Sequence, residues 1–291
     1  MVSRVLNFIW LNLDLPAPLD PEDGSIREPL PKKYIENVRK AGAVHPSAQI
    51  VLWVDSQRLT LRQMDYLRLS IEDGRPNVHL QDLRTITAYD QEPLYNQAEI
   101  NPDWRRSQDG LIWCQEDAAK VLVSLQGNFD QVFFADLDHA HLDIVSRQVQ
   151  GALKKYGMFI GAAGLMIENQ TWGFNRRRID FFERYYATAL ESAHKSMNAW
   201  EDLIYQVKDE LVRGEGIPLE KVCIHIEGDG SQAEQTGHQW RTGYGTQTTA
   251  PVLIPNRQLH EIFNKGRGDN QDDAPRGIRQ KIRRKRGLAP K

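Results

Sequence analysis

The sequence predicts an α/β protein with a mostly parallel sheet, and two observations carry that prediction. Short apolar runs of strand length alternate with stretches whose apolar residues recur at helical spacing. The helical stretches are also punctuated by Pro near their starts and Gly near their ends. In order, VLNFIWL (Val5–Leu11) reads as a buried strand, closed by a Pro-rich loop from Pro16 to Pro31. PKKYIENVRKAG follows as a helix, with Pro31 near its start and Gly42 just past its end. AQIVLWVDS is a second strand stopping at Asp55, TLRQMDYLRLSIEDG a helix ending before Gly74, and Asn77–Leu83 a third strand. Thr85–Arg106 is polar and irregular, a long loop of the kind that carries function. CQEDAAKVLVSLQG is a helix, QVFFA a strand, GMFIGAAGLMIEN one or two strands, and RRIDFFERYYATALESAH a long helix. Asn198 and Glu201 resemble a capping box ahead of AWEDLIYQVKDELV. KVCIHI is the last strand, and in it His225 alternates with Cys223 and is expected in the core. No internal repeat is visible.

At 291 residues the chain has room for one large domain or two modest ones. The reading is one catalytic domain over residues 1–265 and a flexible basic tail over 266–291, where the composition turns to Gly, Asp, Gln and Arg. Arg276–Lys291 holds eight Lys or Arg and no acid, so the formal charge of -2 divides into +8 there and -10 before it. Such a tail suits an electrostatic contact with anionic lipid or nucleic acid. Cys114 and Cys223 give no disulfide framework and fit a reducing compartment. The first apolar run is too short and too interrupted for a signal peptide, and no segment is apolar enough to cross a bilayer. The expected location is the cytoplasm, although an effector exported by a dedicated machine would have the same signature.

The stretch VFFADLDHAH (Val132–His141) carries the chemistry. In extended backbone Asp136 and Asp138 share a face while Leu137 points opposite. Two carboxylates on one face repel unless a cation lies between them. Hard divalent ions such as Mg²⁺ and Mn²⁺ prefer such oxygens. An isolated D-x-D is more often a strand end with solvated acids, so the surrounding blocks decide. In open α/β sheets the carboxyl edge, where this pair falls, is where ligands bind.

FFADLDHA resembles the nucleophile strand of haloacid-dehalogenase-like phosphatases as far as the second Asp. His139 and Ala140 then stand where that family has Gly and Thr, and 131 residues precede Val132, where the family usually starts with this strand. The chain as a whole resembles GT-A type glycosyltransferases of the sugar-binding D-x-D family, in particular bacterial toxin and effector enzymes. NFIWL resembles their first strand and LWVDSQ their second. EDAAKVLVSLQGNFDQVFFADLD resembles their helix, Gly turn and D-x-D strand. LMIENQTWGFNR resembles the segment that follows, and GHQWRTGYG their C-terminal lid. These blocks span roughly residues 5–245.

The resemblance implies a GT-A fold and transfer of a sugar from a nucleotide-sugar donor, a UDP-sugar, to a protein side chain, with retention of anomeric configuration. It implies Mn²⁺ or Mg²⁺ held by Asp136, Asp138 and His238. It implies donor contacts from Ile9, Trp10, Gln57, Asp117, Lys120, Asp136, Asn169 and Trp240, with Glu168 as the catalytic carboxylate and Asp202 in reserve. Lys120 stands where these enzymes usually have Arg, which weakens bidentate phosphate binding. Trp53 is expected to be structural. His139 and His141 could join the aspartates around zinc, but hydrolytic zinc sites gather more histidines at defined spacing. The alternatives are a nucleic-acid or glycan acceptor, a phosphatase, and a non-catalytic binding protein that uses the tail.

Overall fold

The computed structural model describes residues 2–12, 17, 19–91, 116, 118–163, 166–184, 187, 210–226 and 252–268. Among these are nine strands: β1 (Arg4–Trp10), β2 (Ile26–Arg27), β3 (Gln49–Val54), β4 (Val78–Asp82), β5 (Gln131–Ala135), β6 (Met158–Ala163), β7 (Met166–Asn175), β8 (Cys223–His225) and β9 (Leu253–Ile254). Seven form one sheet in the order β4-β3-β1-β5-β7-β6-β8, and β2 pairs with β9 apart from it. Strands β4, β3, β1 and β5 run parallel; β7 is antiparallel to both β5 and β6; β8 is parallel to β6. The expected α/β class with a mostly parallel sheet is what the chain adopts.

Both faces of the sheet are covered, which is why its strands are apolar on both sides. Leu6, Phe8 and Trp10 of β1 belong to a core with Ile35 and Val38 of helix α1 (Lys32–Val44), Tyr66 and Leu67 of α2 (Leu61–Glu72), and Leu259. Val5 and Ile9 belong to the opposite core, with Tyr89 of α3 (Thr87–Gln91), Ala118, Ala119, Val121 and Leu122 of α4 (118–124), and the Phe181–Phe182 pair. Thr60 and Gln63 form a reciprocal capping box that fixes the start of α2. Trp53 is structural as expected: buried, with its indole N–H donating to Asn7 Oδ1 at 2.9 Å.

Several local expectations need correction. Gly42 does not stop α1, which runs on to Val44; a Cβ at Gly42 would collide with Val78 Cγ2, so the glycine lets the helix lie close against β4. Residues 87–91 of the expected long loop are helical, anchored by the fully buried ring of Tyr89. A helix that sequence reasoning missed, α5 (Arg147–Tyr156), starts at a Ser146 cap and ends on Gly157 in the left-handed conformation. His225 is exposed rather than core, because β8 is the outer strand of the sheet. The helix Asn256–Gly268 runs past residue 265, where the tail was expected to begin. The capping box at Asn198 and the basic stretch from Arg276 lie outside the described residues.

Gly173 of β7 sits between Phe133 of β5 and Phe159 of β6. A Cβ there would lie 2.5 Å from Phe159 Cε1 and 2.7 Å from Phe133 Cδ1. Gly173→Ala is therefore expected to cost about 1–3 kcal/mol by overpacking, read as a lower urea midpoint with an unchanged slope.

The connections define one position on the sheet. From β1 the chain passes through α1 to β3 and through α2 to β4, all toward one edge, and later returns to place β5 on the other side of β1. The strand order thus reverses between β1 and β5, and open α/β sheets bind ligands outside the carboxyl ends at such a point. The described residues after β1 contain no helix before Lys32, and β5 leads into a single 3₁₀ turn (Leu137–His139). No helix among the described residues is long and apolar enough to cross a membrane.

Candidate functional site

Asp136 and Asp138 stand at this reversal point, immediately after β5. The backbone is not extended through them as expected. Asp136 keeps an extended conformation, its N–H donating to Gln170 O of β7 at 2.7 Å. The chain then turns, with His139 N–H donating to Asp136 O at 2.8 Å. Leu137 inserts into the core, and the two acids remain on the rim with side chains 22% and 18% exposed. The turn is pinned from α1 and the residue that follows it: Asn37 Nδ2 donates to Leu137 O at 2.9 Å, and His45 Nε2 lies 3.0 Å from Leu142 O.

Each carboxylate has a buried basic neighbour. Lys120 of α4 is 5% exposed and places Nζ 3.0 Å from Asp136 Oδ1, 3.6 Å from Glu116 Oε1, and 5.7 Å from the centre of the Phe134 ring. His139, 3% exposed, brings Nδ1 to 2.9 Å from Asp138 Oδ1, fixing one oxygen of that carboxylate. Burial pushes the Asp136 carboxyl up to about 6 despite Lys120, and the charge of Asp138 adds to the rise. An acid destabilised in this way gains from a second cation.

The donor set suits a hard divalent ion. Two carboxylates are a minority of an octahedral shell, and Mg²⁺-type ions are commonly held by one or two carboxylates together with substrate phosphates. Among the described residues no three metal-ligating side chains converge, so the zinc alternative for His139 and His141 gains no third protein ligand there. His139 and His141 stack with ring centres 6.3 Å apart.

The other site residues distribute around this pair. Ile9 is buried on the α4 side of the sheet, whereas Trp10 is buried on the α1 side. The Trp10 indole N–H donates to Pro29 O at 2.8 Å, and its ring is tilted against Tyr34, so the sheet separates it from Lys120. Gln57 is exposed in the turn after β3, at the same carboxyl edge. The backbones of Glu168 and Asn169 lie in the first half of β7, just before Gln170, and so at that edge as well. Asp117, Asp202, His238 and Trp240 lie outside the described residues.

Sequence reasoning missed two parts of this rim. Glu116 was findable, because it precedes Lys120 by one helical turn. The other is the cluster around Asp55 at the end of β3. Its fully buried carboxylate accepts Arg84 Nε and Nη2, both at 2.8 Å, Tyr89 Oη at 3.0 Å, Gln57 N at 3.0 Å and Arg58 Nε at 3.3 Å. It ties the turns after β3 and β4 to α3.

No protein family matches the chain, and no curated protein matches it. Among solved structures it is similar to PaToxG glycosyltransferase, at 12% identity over 92% of this chain and 87% of that one, with a TM-score of 0.47. It is also similar to a chain described as a transferase, at 13% identity over 77% of this chain and 91% of that one, TM-score 0.45. A third similar structure is bacterial N-acetylglucosamine transferase NleB, at 12% identity over 78% and 93%, TM-score 0.36.

Proposed function

We propose that the protein is a metal-dependent glycosyltransferase that moves a sugar from a UDP-sugar to a protein acceptor, with retention at the anomeric carbon. The observation that carries this reading is the pair Asp136–Asp138 at the strand-order reversal, with buried Lys120 against it. Departure of a nucleoside diphosphate develops negative charge, which a divalent ion and a fixed ammonium offset together. Asp138 would contact the ion directly, and Asp136 through water or by way of the ribose. His238 would add a ligand. Gln57 would hold the nucleoside, with Ile9 packed on the Lys120 side of the sheet, Asp117 and Lys120 would contact the sugar or phosphates, and Trp240 would close over them; Trp10, buried on the other face, would not stack on the base as expected. The order of the sequence blocks supports the same assignment.

The test is calorimetric titration of UDP with and without Mn²⁺. Metal-dependent UDP binding is the expected result. Hydrolysis of a generic phosphate ester with no UDP affinity would instead indicate the phosphatase, and neither activity a binding module.

Glu168 is assigned to orient or deprotonate the acceptor, with Asn169 positioning the sugar and Asp202 in reserve. A general base contributes roughly 10²–10⁴-fold. Glu168→Gln is expected to lose that factor in transfer while keeping UDP affinity; loss of UDP binding would mark Glu168 as structural. The basic tail is assigned to capture of the acceptor or of an anionic membrane, with nucleic acid as the other anionic surface it suits.

A further inference from the structure

We infer that Lys120 is an internal gate on metal entry: its ammonium occupies Asp136 until a nucleotide diphosphate arrives, so that the divalent ion binds well only together with the nucleotide. The inference rests on the glycosyltransferase reading and adds to it an order of assembly and the residue that imposes it.

Lys120 is almost fully buried, so the protein rather than bulk water balances its charge. It is held between Asp136 at 3.0 Å and Glu116 at 3.6 Å, above the Phe134 face. The ammonium therefore sits on one of the two carboxylates a metal would use, and a positive charge at that distance opposes a divalent ion strongly in a partly buried site. Among the described groups, Asp136, Asp138 and Glu116 sum with Lys120 to a net charge of -2. That is enough to attract a divalent ion, but the nearest oxygen is already engaged.

A diphosphate changes this balance. Its oxygens offer Lys120 a new partner and offer the metal further ligands, and Asp136 is released toward the metal. Metal and nucleotide then raise each other's affinity by the same factor. Lysine suits this task better than the Arg usual in the resembled enzymes. Its ammonium is a point charge on a flexible stem that can be handed from one oxygen to another, whereas guanidinium favours a fixed two-pronged grip.

The experiment measures Mn²⁺ affinity at pH 8 by calorimetry, without nucleotide and with saturating UDP, on the whole chain. In the parent protein UDP is expected to tighten Mn²⁺ at least tenfold. In Lys120→Met, Mn²⁺ alone is expected to bind at least tenfold more tightly than in the parent, and the tightening by UDP to shrink. Lys120→Arg keeps the charge but grips Asp136 at two points, so Mn²⁺ alone should bind as weakly as in the parent and the tightening by UDP should be smaller. Metal-only affinity in Lys120→Met equal to or weaker than the parent's would overturn the inference. If Lys120→Met does not fold, Lys120→Gln replaces it, and the parent alone still decides: Mn²⁺ affinity indifferent to UDP rejects the gate. Asp138→Ala separates the two levels. If it abolishes Mn²⁺ binding while Lys120→Met shows no gain, the metal site stands and the gate falls. If Asp138→Ala binds Mn²⁺ like the parent, the metal site fails and the gate with it.

Discussion

Asp138→Ala should reduce turnover of a UDP-sugar by roughly 10²–10³-fold or more, since removing a metal carboxylate is expected to cost several kcal/mol of transition-state stabilisation. The substitution also takes the partner from buried His139 Nδ1, 2.9 Å away, which adds a stability cost of about 1–3 kcal/mol. Asp138→Asn separates the two effects, because an amide oxygen still accepts from the imidazole while the negative charge is gone. The expected pattern is near-parent unfolding with turnover as low as in the alanine variant. Asp143→Ala, exposed in the same loop, serves as a control with turnover unchanged. Near-normal kcat/KM in Asp138→Ala would remove the metal assignment.

The second large effect is on stability. Asp55→Ala removes the carboxylate that Arg58 and Arg84 both pair with and that accepts from the Tyr89 hydroxyl. Removing one side of a buried ion pair costs roughly 3–5 kcal/mol, a large share of the about 5–15 kcal/mol that holds a domain together. Urea unfolding reads this directly. Asp90→Ala, which removes only the outer, half-exposed partner of Arg84, should cost less than about 1 kcal/mol.

The same carboxylate sets an acid limit. Burial pushes Asp55 up, but the hydrogen bond and charge of Arg84, the Gln57 N–H and the charge of Arg58 together hold it below the ordinary carboxylate value. Its contribution is therefore complete above that ordinary value and lost as pH falls through the lower folded one. Asp55→Ala should flatten the acid limb of the stability curve; an unchanged limb would show that other groups set it.

Strands β1, β3 and β5 were legible because each is a short apolar run between breakers, whereas β4 (VHLQD) and the second half of β7 (QTWGFN) carry no such run. Helix α5 was not legible, because only Val149, Ala152 and Leu153 are buried among polar and basic neighbours. Its signal lay in Ser146 and Gly157, which flank it. Gly42 misled because close approach and helix ending favour the same residue. The place of Asp136 and Asp138 at a strand end was legible, but the turn through them was not. D-L-D at the end of a strand gives the place, whereas the turn depends on Leu137 finding the core and on Asn37, a hundred residues away, reaching its carbonyl. Asp55 and Arg84 are separated by 29 residues, and nothing local in either announces the other.

The turn that follows β5 has one more consequence. Doubly wound sheets usually meet phosphate with the start of a helix, whose free N–H groups are a permanent positive pole. Among the described residues the strand ends flanking this crevice lead to no such pole, and one of them carries two acids instead. On the proposed reading, the two acids oppose a polyphosphate, Lys120 is already engaged by Asp136 and Glu116, and the remaining attraction comes with a divalent counter-ion. The protein should therefore behave as an ion-gated receptor rather than a phosphate trap: inorganic phosphate and pyrophosphate should bind negligibly after chelation, and recover when Mn²⁺ is restored.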